Sequence, residues 1–92
     1  MKYVLLGKLS SDWVSRQEDR LASAKAKLEE LGITIEAVYY TQGAFDFVDV
    51  METSDPIAML AFSVWYGQQG FGSIQTLPAF DETAMAAALG KL

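Results

Sequence analysis

The chain has 92 residues, a net charge of −5 and neither cysteine nor histidine. This composition excludes disulfides, thiol nucleophiles, histidine bases and zinc sites built from Cys and His. Nucleic-acid binding is not expected, because the stretch from Leu28 to Gly90 contains nine acidic residues and no Lys or Arg to contact phosphates. About half of the residues are apolar, which is typical of a folded chain, and we expect one domain over residues 1–92.

The patterns of apolar residues predict four strands and three helices in the order β-α-β-β-α-β-α. The predicted elements cover residues 3–9, 16–31, 33–41, 45–52, 56–67, 73–77 and 82–90. Two signals mark helix starts: Ser15 and Glu18 have the spacing of a capping box, and Asp55 precedes Pro56 at a first helical position. The first helix has an alternative start near Ser11.

The order of elements predicts an α+β fold of the ferredoxin-like type. Its four-stranded antiparallel sheet carries the first two helices on one face, and the opposite face is left open. The apolar side chains expected on that open face are Tyr3, Leu5, Val38, Tyr40, Phe45, Phe47, Met51 and Leu77. A second copy of the sheet is the simplest cover for such a face, so a face-to-face homodimer is predicted, with higher oligomers as an extension.

The second helix is apolar on all sides, since Ser63 is the only polar residue without an aromatic ring between Ile57 and Tyr66. A helix of this kind is expected to be buried all round. One side is predicted to meet the sheet. The other side is predicted to meet the C-terminal helix, with another subunit as the alternative.

No targeting or cofactor signal stands out in the sequence. Met1 leads directly into a strand pattern without a cleavage site of small residues, and the longest apolar run has about ten residues, too few to cross a bilayer. The glycine-rich stretch 67–72 follows a helix, the reverse of the order found in phosphate-binding loops. We therefore expect a cytoplasmic protein with no cofactor, metal site or membrane partner.

Three stretches of the chain resemble the GYD domain family, which is named for a Gly-Tyr-Asp triplet at a hairpin. They are the hairpin 43–48, the helix start at Asp55-Pro56 and the final strand region 72–80, and the resemblance extends over residues 2–82. It implies a dimeric α+β barrel but no established activity. Relatives by fold include small monooxygenases, haem-degrading enzymes, chlorite dismutase-like enzymes and amino-acid-sensing regulators.

The sequence departs from the family pattern at several positions. Ala44 is inserted into the triplet and Phe45 stands in place of Tyr, so a phenol hydroxyl is lost there. Gln75 stands where the family often has Arg, and the segment 11–13 replaces a more usual glycine-containing turn.

Asp46, in the hairpin, is the strongest candidate for a polar side chain that contacts a ligand. Its carboxylate could orient a ligand amine or act as a base, but the more common role is to accept hydrogen bonds from backbone N–H groups of the turn. The neighbouring Gly43 is predicted to supply the positive φ that the turn requires.

Two further sets of side chains are candidates for ligand contact. Glu36 and Asp49 are predicted on the open face, where paired carboxylates could hold a proton or a divalent cation, although solvated positions at a sheet edge are more common. Aromatic residues could line a pocket, although core or dimer interface is again more common; they are Tyr3, Tyr40, Phe45, Phe47 and Trp65. Such a pocket should prefer a neutral, planar or cationic ligand, because basic side chains are scarce.

The leading functional hypothesis is a small-molecule-binding or interaction module without catalysis. The alternative is a small cofactor-independent enzyme of monooxygenase or isomerase type, with an apolar pocket between sheets and Asp46 or Tyr40 as its polar group. A structural subunit of an assembly is the third hypothesis. No catalytic residue is assigned from the sequence.

Overall fold

The computed structural model describes the chain from Met1 to Leu92. Its elements, in chain order, are β1 (Lys2–Leu9), α1 (Gln17–Glu30), β2 (Thr34–Tyr40), β3 (Phe47–Glu52), α2 (Pro56–Gln68), β4 (Gly72–Ala79) and α3 (Glu82–Leu89). The predicted order is confirmed. The start of β3 is two residues later than predicted, because residues 45 and 46 belong to the connection after β2.

The four strands form one antiparallel sheet in the order β2-β3-β1-β4, and the predicted ferredoxin-like α+β fold is confirmed. Helices α1 and α2 both pack on the same face of this sheet. The core between the helices and the sheet consists of Tyr3, Leu5, Ala24, Leu28, Ile33, Phe47, Met51, Ala58, Met59, Phe62, Tyr66 and Phe71.

The predicted assignment of the strand faces is wrong for β1 and β3. Tyr3, Leu5, Phe47 and Met51 were expected on the open face, but each is at most 7% exposed and lies under the helices. Both strands have apolar residues on alternate positions of both faces, so alternation alone does not distinguish the faces. The structure places the bulky aromatic and Met side chains in the thick helix-packed layer.

The open face instead carries the smaller aliphatic side chains. In the strand register, Val4 lies opposite both Val50 and Leu77, and Leu6 lies opposite Val48. Residues paired in this way share a face of the sheet. We call these five residues the open-face patch; the expected position of Leu77 on the open face is confirmed.

A bulge in β2 interrupts the alternation that the sequence suggests. The register shifts between Ile35 and Ala37, so that Val38 lies opposite Asp49 and Tyr40 lies opposite Phe47. Val38 and Tyr40 therefore belong to the helix-packed face rather than the open face. An extra residue in one strand shifts the alternation of its side chains by one position, so the residues after it point to the opposite face.

The two main helices begin differently. Asp55 caps α2 as predicted, because its Oδ1 accepts hydrogen bonds from the N–H groups of Ile57 and Ala58. The capping box predicted at Ser15 is wrong: the cap position of α1 is Arg16, and no side chain caps this helix.

Helix α3 does not cover α2, contrary to the prediction. It has no buried residue, and its Met85 and Leu89 are each 60% exposed. Ile57, Leu60 and Val64 on the outer side of α2 therefore remain more than half exposed. The all-apolar composition of α2 correctly indicates that two sides need cover, but the single chain covers only one.

Candidate functional site

The helix-facing side of β3 carries a stack of three residues. The ring of Phe47 lies over Gly7, where a Cβ atom would be 2.0 Å from Cζ of the ring. On this ring rests the guanidinium of Arg20 from α1, with Cζ 4.6 Å from the ring centroid. The missing side chain at Gly7 thus makes room for Phe47, and Phe47 supports a buried arginine through a cation–π contact.

Arg20 is 3% exposed although it carries a permanent charge. Its Nη1 donates a long hydrogen bond of 3.5 Å to the hydroxyl of Tyr66 on α2. Its Nε is buried without a hydrogen-bond partner. A buried guanidinium with an unused donor is unusual, because unpaired buried polar groups destabilise a folded protein.

Asp49 lies two residues beyond Phe47 on the same face of β3 and is 8% exposed. Burial raises the pKa of its carboxyl to about 6, and the positive charge of Arg20 counteracts this effect only in part. Its Oδ1 is also buried without a hydrogen-bond partner. We call Arg20, Asp49 and Tyr66 the polar cluster.

The phenol of Tyr66 completes the polar cluster. Burial raises the pKa of Tyr66, while the charge and hydrogen bond of Arg20 act in the opposite direction and the charge of Asp49 acts in the same direction. The hydroxyl therefore remains protonated and can donate or accept a hydrogen bond.

Aromatic rings enclose the polar cluster on the α2 side. The ring of Tyr66 lies 5.2 Å from that of Phe71 and 6.0 Å from that of Phe62, measured between centroids. Phe71 in turn meets Trp13 edge to face at 4.5 Å. Trp13, in the connection before α1, packs against the core and covers its end at the start of α1.

The polar cluster thus combines a carboxylate that titrates near neutral pH, a fixed cation and a phenol inside an apolar shell. A carboxylate with a pKa close to the ambient pH can accept or release a proton. Perturbed ionisable groups of this kind are concentrated at functional sites, although structural ion networks produce them as well.

The hairpin residues have structural contacts in the folded chain. The carboxylate Oδ2 of Asp46 accepts a hydrogen bond of 2.7 Å from the N–H of Leu9, so it joins the hairpin to the end of β1. Gly43 has the predicted positive φ, at 120°. The carbonyl of Phe45 accepts a hydrogen bond from the hydroxyl of Thr41. Asp46 therefore has the backbone-binding role expected of it, with a partner in β1 rather than in the turn.

Glu36 and Asp49 do not form the expected pair. Glu36 forms an ion pair with Lys2, whose neighbours in the register lie on the open face. Asp49 is buried on the opposite, helix-packed face. The predicted shared position of the two carboxylates is wrong.

The aromatic candidates are dispersed in the structure. Tyr3 and Phe47 are buried in the core, whereas Tyr40 is 48% exposed near the end of β2. Trp65 is half-buried and stacks near Phe62 and Phe71, at 5.7 and 5.8 Å between ring centroids. The five aromatic residues therefore do not line one common pocket.

Sequence reasoning missed two members of the polar cluster, Arg20 and Tyr66. A signal for Arg20 was available, because it precedes the buried Ala24 and Leu28 at intervals of four residues and thus lies in the apolar stripe of α1. No comparable signal singles out Tyr66 among the other aromatic residues of α2.

Other kinds of site are not visible in the structure. No group of three or more acidic side chains is arranged to hold a metal ion. None of the helices combines the length and hydropathy needed to cross a bilayer. The four surface depressions do not include any member of the polar cluster, and Trp65 is the only predicted site residue that lines one of them.

The four-stranded antiparallel sheet with two helices on one face defines a ferredoxin-like α+β domain. The family model of the GYD domain matches residues 3–89, and the chain belongs to this family. The resemblance noted in the sequence is thereby confirmed, and the match extends into α3.

A solved structure with a similar fold is the 5-chloro-2-hydroxyhydroquinone dehydrochlorinase TftG from Burkholderia phenoliruptrix AC1100, in complex with 2,5-dihydroxybenzoquinone. The two chains are 17% identical with a TM-score of 0.59, and the similarity covers 91% of this chain and 98% of the other. At this identity the likeness concerns the fold. Among curated proteins, none matches the chain in sequence.

Proposed function

We propose that the protein is a homodimeric small-molecule-binding domain and that its ligand contacts the polar cluster between the helices and the sheet. One observation carries the proposal: Oδ1 of Asp49 and Nε of Arg20 are both buried without a partner. Leaving such groups unpaired costs about 1–3 kcal/mol each, more for charged groups. A ligand that supplies both partners would recover this free energy on binding.

The two unpaired atoms define the chemistry of the ligand. Oδ1 of Asp49 needs a donor such as a hydroxyl group, and Nε of Arg20 needs an acceptor oxygen. The rings of Phe47 and Tyr66 nearby favour a flat apolar body. A neutral ring compound with adjacent hydroxyl groups, such as a catechol, satisfies all three requirements.

The fold neighbour supports this ligand class. Its bound compound, 2,5-dihydroxybenzoquinone, is a six-membered ring that carries hydroxyl and carbonyl oxygens. The sequence prediction of a neutral, planar or cationic ligand agrees with a catechol. Trp13 is half-buried and packs on Phe71, the ring next to Tyr66, so in the proposed complex the ligand enters by displacing Trp13.

The open-face patch is the proposed dimer interface. It consists of five aliphatic side chains around Val4 and Leu6, and its rim includes the Lys2–Glu36 ion pair. Contiguous apolar surface of this kind mostly marks a contact with another molecule. A second copy related by a two-fold axis covers the patch completely, because the same residues face one another.

The proposal is tested by native mass spectrometry of protein purified without added ligand and then incubated with catechol under anaerobic conditions. We expect the dimer, or an assembly built from such dimers, to gain the mass of one catechol per chain. A monomer would contradict the dimer, and a dimer that gains no mass at any catechol concentration would contradict the proposed binding.

A second candidate function, cofactor-independent enzymatic proton transfer, is favoured by the pKa of Asp49 near 6. A buried carboxylate with this pKa can act as a base toward a ring hydroxyl, as isomerisation or elimination on a hydroquinone requires. In this case Asp49 takes the role that the sequence hypothesis gave to Asp46 or Tyr40. Turnover of a halogenated hydroquinone, reduced about 10²-fold or more by Asp49→Asn, is the expected result. Equal turnover by the variant would contradict it.

A further inference from the structure

The outer surface of the helix layer contains an uncovered apolar groove of about 460 Å³ between α1 and α2. Its apolar rim is formed by Leu31, Ile57, Leu60 and Val64, and Lys27 is its only charged lining residue. The three α2 residues are spaced at helical intervals along one stripe, which is about 12 Å long for the eight residues of helix from Ile57 to Val64. The stripe is exposed because nothing in the single chain packs on it.

Helix α3 has the matching properties. It has no buried residue. Its Met85 and Leu89, and Phe80 just before it, are each at least 60% exposed. One side of α3, together with Phe80, forms an apolar depression of about 400 Å³. Its eight residues span about 12 Å, close to the length of the α2 stripe.

From this correspondence we propose that α3 of one copy docks into the α1–α2 groove of a second copy. The two surfaces are similar in length and both are apolar. The charges at their edges have opposite signs, since α3 begins with Asp81 and Glu82 and the groove has Lys27, which also pairs with Glu30 of its own helix. Lys91, which follows α3, is the only charged side chain that lines either the α2 stripe or the apolar side of α3, so docking desolvates little charge.

A second copy of this chain explains both exposed surfaces at once. When each chain supplies one α3 and one groove, a reciprocal exchange covers both and leaves neither apolar surface in water. An unrelated partner would cover either the groove or α3. Two partners, each with its own complementary surface, would be needed to cover both. This contact is distinct from the open-face patch, so the two interfaces together produce an assembly larger than a dimer.

Because the chain contains no cysteine, introduced cysteines give a specific test. Leu60→Cys in an affinity-tagged full-length chain is co-expressed with Met85→Cys in an untagged chain, and the purified protein is oxidised. We expect a disulfide between the two chains that forms on the order of 10²-fold faster than in the control, because docking raises the local thiol concentration. The control pairs Met85→Cys with Ala22→Cys, which lies on the outer side of α1.

The double variant Leu60→Cys/Met85→Cys separates the alternatives. A disulfide that forms only within one chain would show that α3 folds back on its own α2 and would overturn the proposal. Absence of any disulfide above the control rate would overturn it as well. Met85→Asp gives an independent readout, since we expect its native mass to fall to that of the sheet-mediated dimer; an unchanged mass would contradict the exchange.

Discussion

Asp49 on β3 and Arg20 on α1 are both buried between the sheet and the helices, where the charge of Arg20 acts on the carboxyl of Asp49, yet Oδ1 of the one and Nε of the other have no hydrogen-bond partner. Two opposite charges in a dry core normally hydrogen-bond to each other in full, because otherwise the desolvation is not offset. Here the arginine instead lies on Phe47 and bonds Tyr66. These two atoms without hydrogen-bond partners are the basis of the proposed ligand site.

Stability should depend on pH through Asp49. Its carboxyl has a pKa of about 6 in the folded chain against an ordinary value of 3.8. Well below its ordinary pKa of 3.8, at about pH 3 and lower, it is protonated in both the folded and the unfolded state and has no effect. As the pH rises to about 6, the unfolded chain ionises more readily, so the folded state is disfavoured by up to about 3 kcal/mol, at about 1.4 kcal/mol per pKa unit.

Asp49→Asn removes this titration while keeping the shape of the side chain. We therefore expect the variant to be more stable than the wild type at pH 7, by up to about 3 kcal/mol, and equally stable near about pH 3. Urea unfolding at the two pH values measures the difference. Asp12→Asn, at an exposed position, is the matched control and should follow the wild type. A variant that is less stable at pH 7 would show that the ionised carboxylate stabilises the core.

The open-face patch can be tested by placing a charge at its centre. In a chain that also carries Met85→Asp, which removes the α3 contact, Val50→Asp would bury an unpaired carboxylate against the partner sheet, so we expect a folded monomer by light scattering and circular dichroism. Ala26→Asp, on the outer side of α1, should leave the oligomeric state unchanged. Phe47→Asp is not a test of the interface, since Phe47 is 1% exposed in the core and this change should unfold the chain. A dimeric Val50→Asp/Met85→Asp protein would locate the interface elsewhere.

Gly7 is predicted to be intolerant of a side chain because of Phe47. The Cβ of Gly7→Ala would lie 2.0 Å from the ring, so Phe47 and the arginine on it must move, at a typical overpacking cost of about 1–3 kcal/mol. Gly67→Ala is the control: it lies in α2, where a Cβ meets nothing within 4 Å, and should be neutral or stabilising. Equal stability of the two variants in urea would contradict the proposed fit between Gly7 and Phe47.

Asp46 is predicted to contribute to stability. Its carboxylate accepts a hydrogen bond from the N–H of Leu9. Asp46→Ala leaves this donor unpaired and should lower the free energy of unfolding by about 1–3 kcal/mol. Asp46→Asn retains an acceptor oxygen and should lose less. An alanine variant as stable as wild type would mean that water replaces the carboxylate without loss.

The order of elements was predictable because each has a local signal: Asp55 and Pro56 start α2, and glycine supplies the turn at residue 43. Which face of a strand is buried was not predictable, because Tyr3 and Val4 are both apolar and the choice depends on how much volume the helices leave. The bulge beside Ala37 reversed the faces in β2 for a similar reason, since the register depends on the neighbouring strand.

The candidate site was harder to predict than the fold. Asp49 was recognised as a candidate, but its proposed partner was Glu36, which lies on the other face of the sheet. Its actual neighbours, Arg20 and Tyr66, come from two helices and are brought to β3 only by tertiary packing. No residue spacing in the sequence indicates that these three side chains are neighbours in the fold.

The central claim is that the unpaired atoms of the polar cluster bind a hydroxylated ring compound. Isothermal titration calorimetry with catechol under anaerobic conditions tests it, with wild type, Asp49→Asn and Asp12→Asn compared at pH 7. We expect saturable binding to the wild type and to Asp12→Asn, and an affinity about tenfold or more lower for Asp49→Asn, as expected for the loss of one charge-assisted hydrogen bond. No binding to the wild type, or equal affinity of all three proteins, would contradict the account.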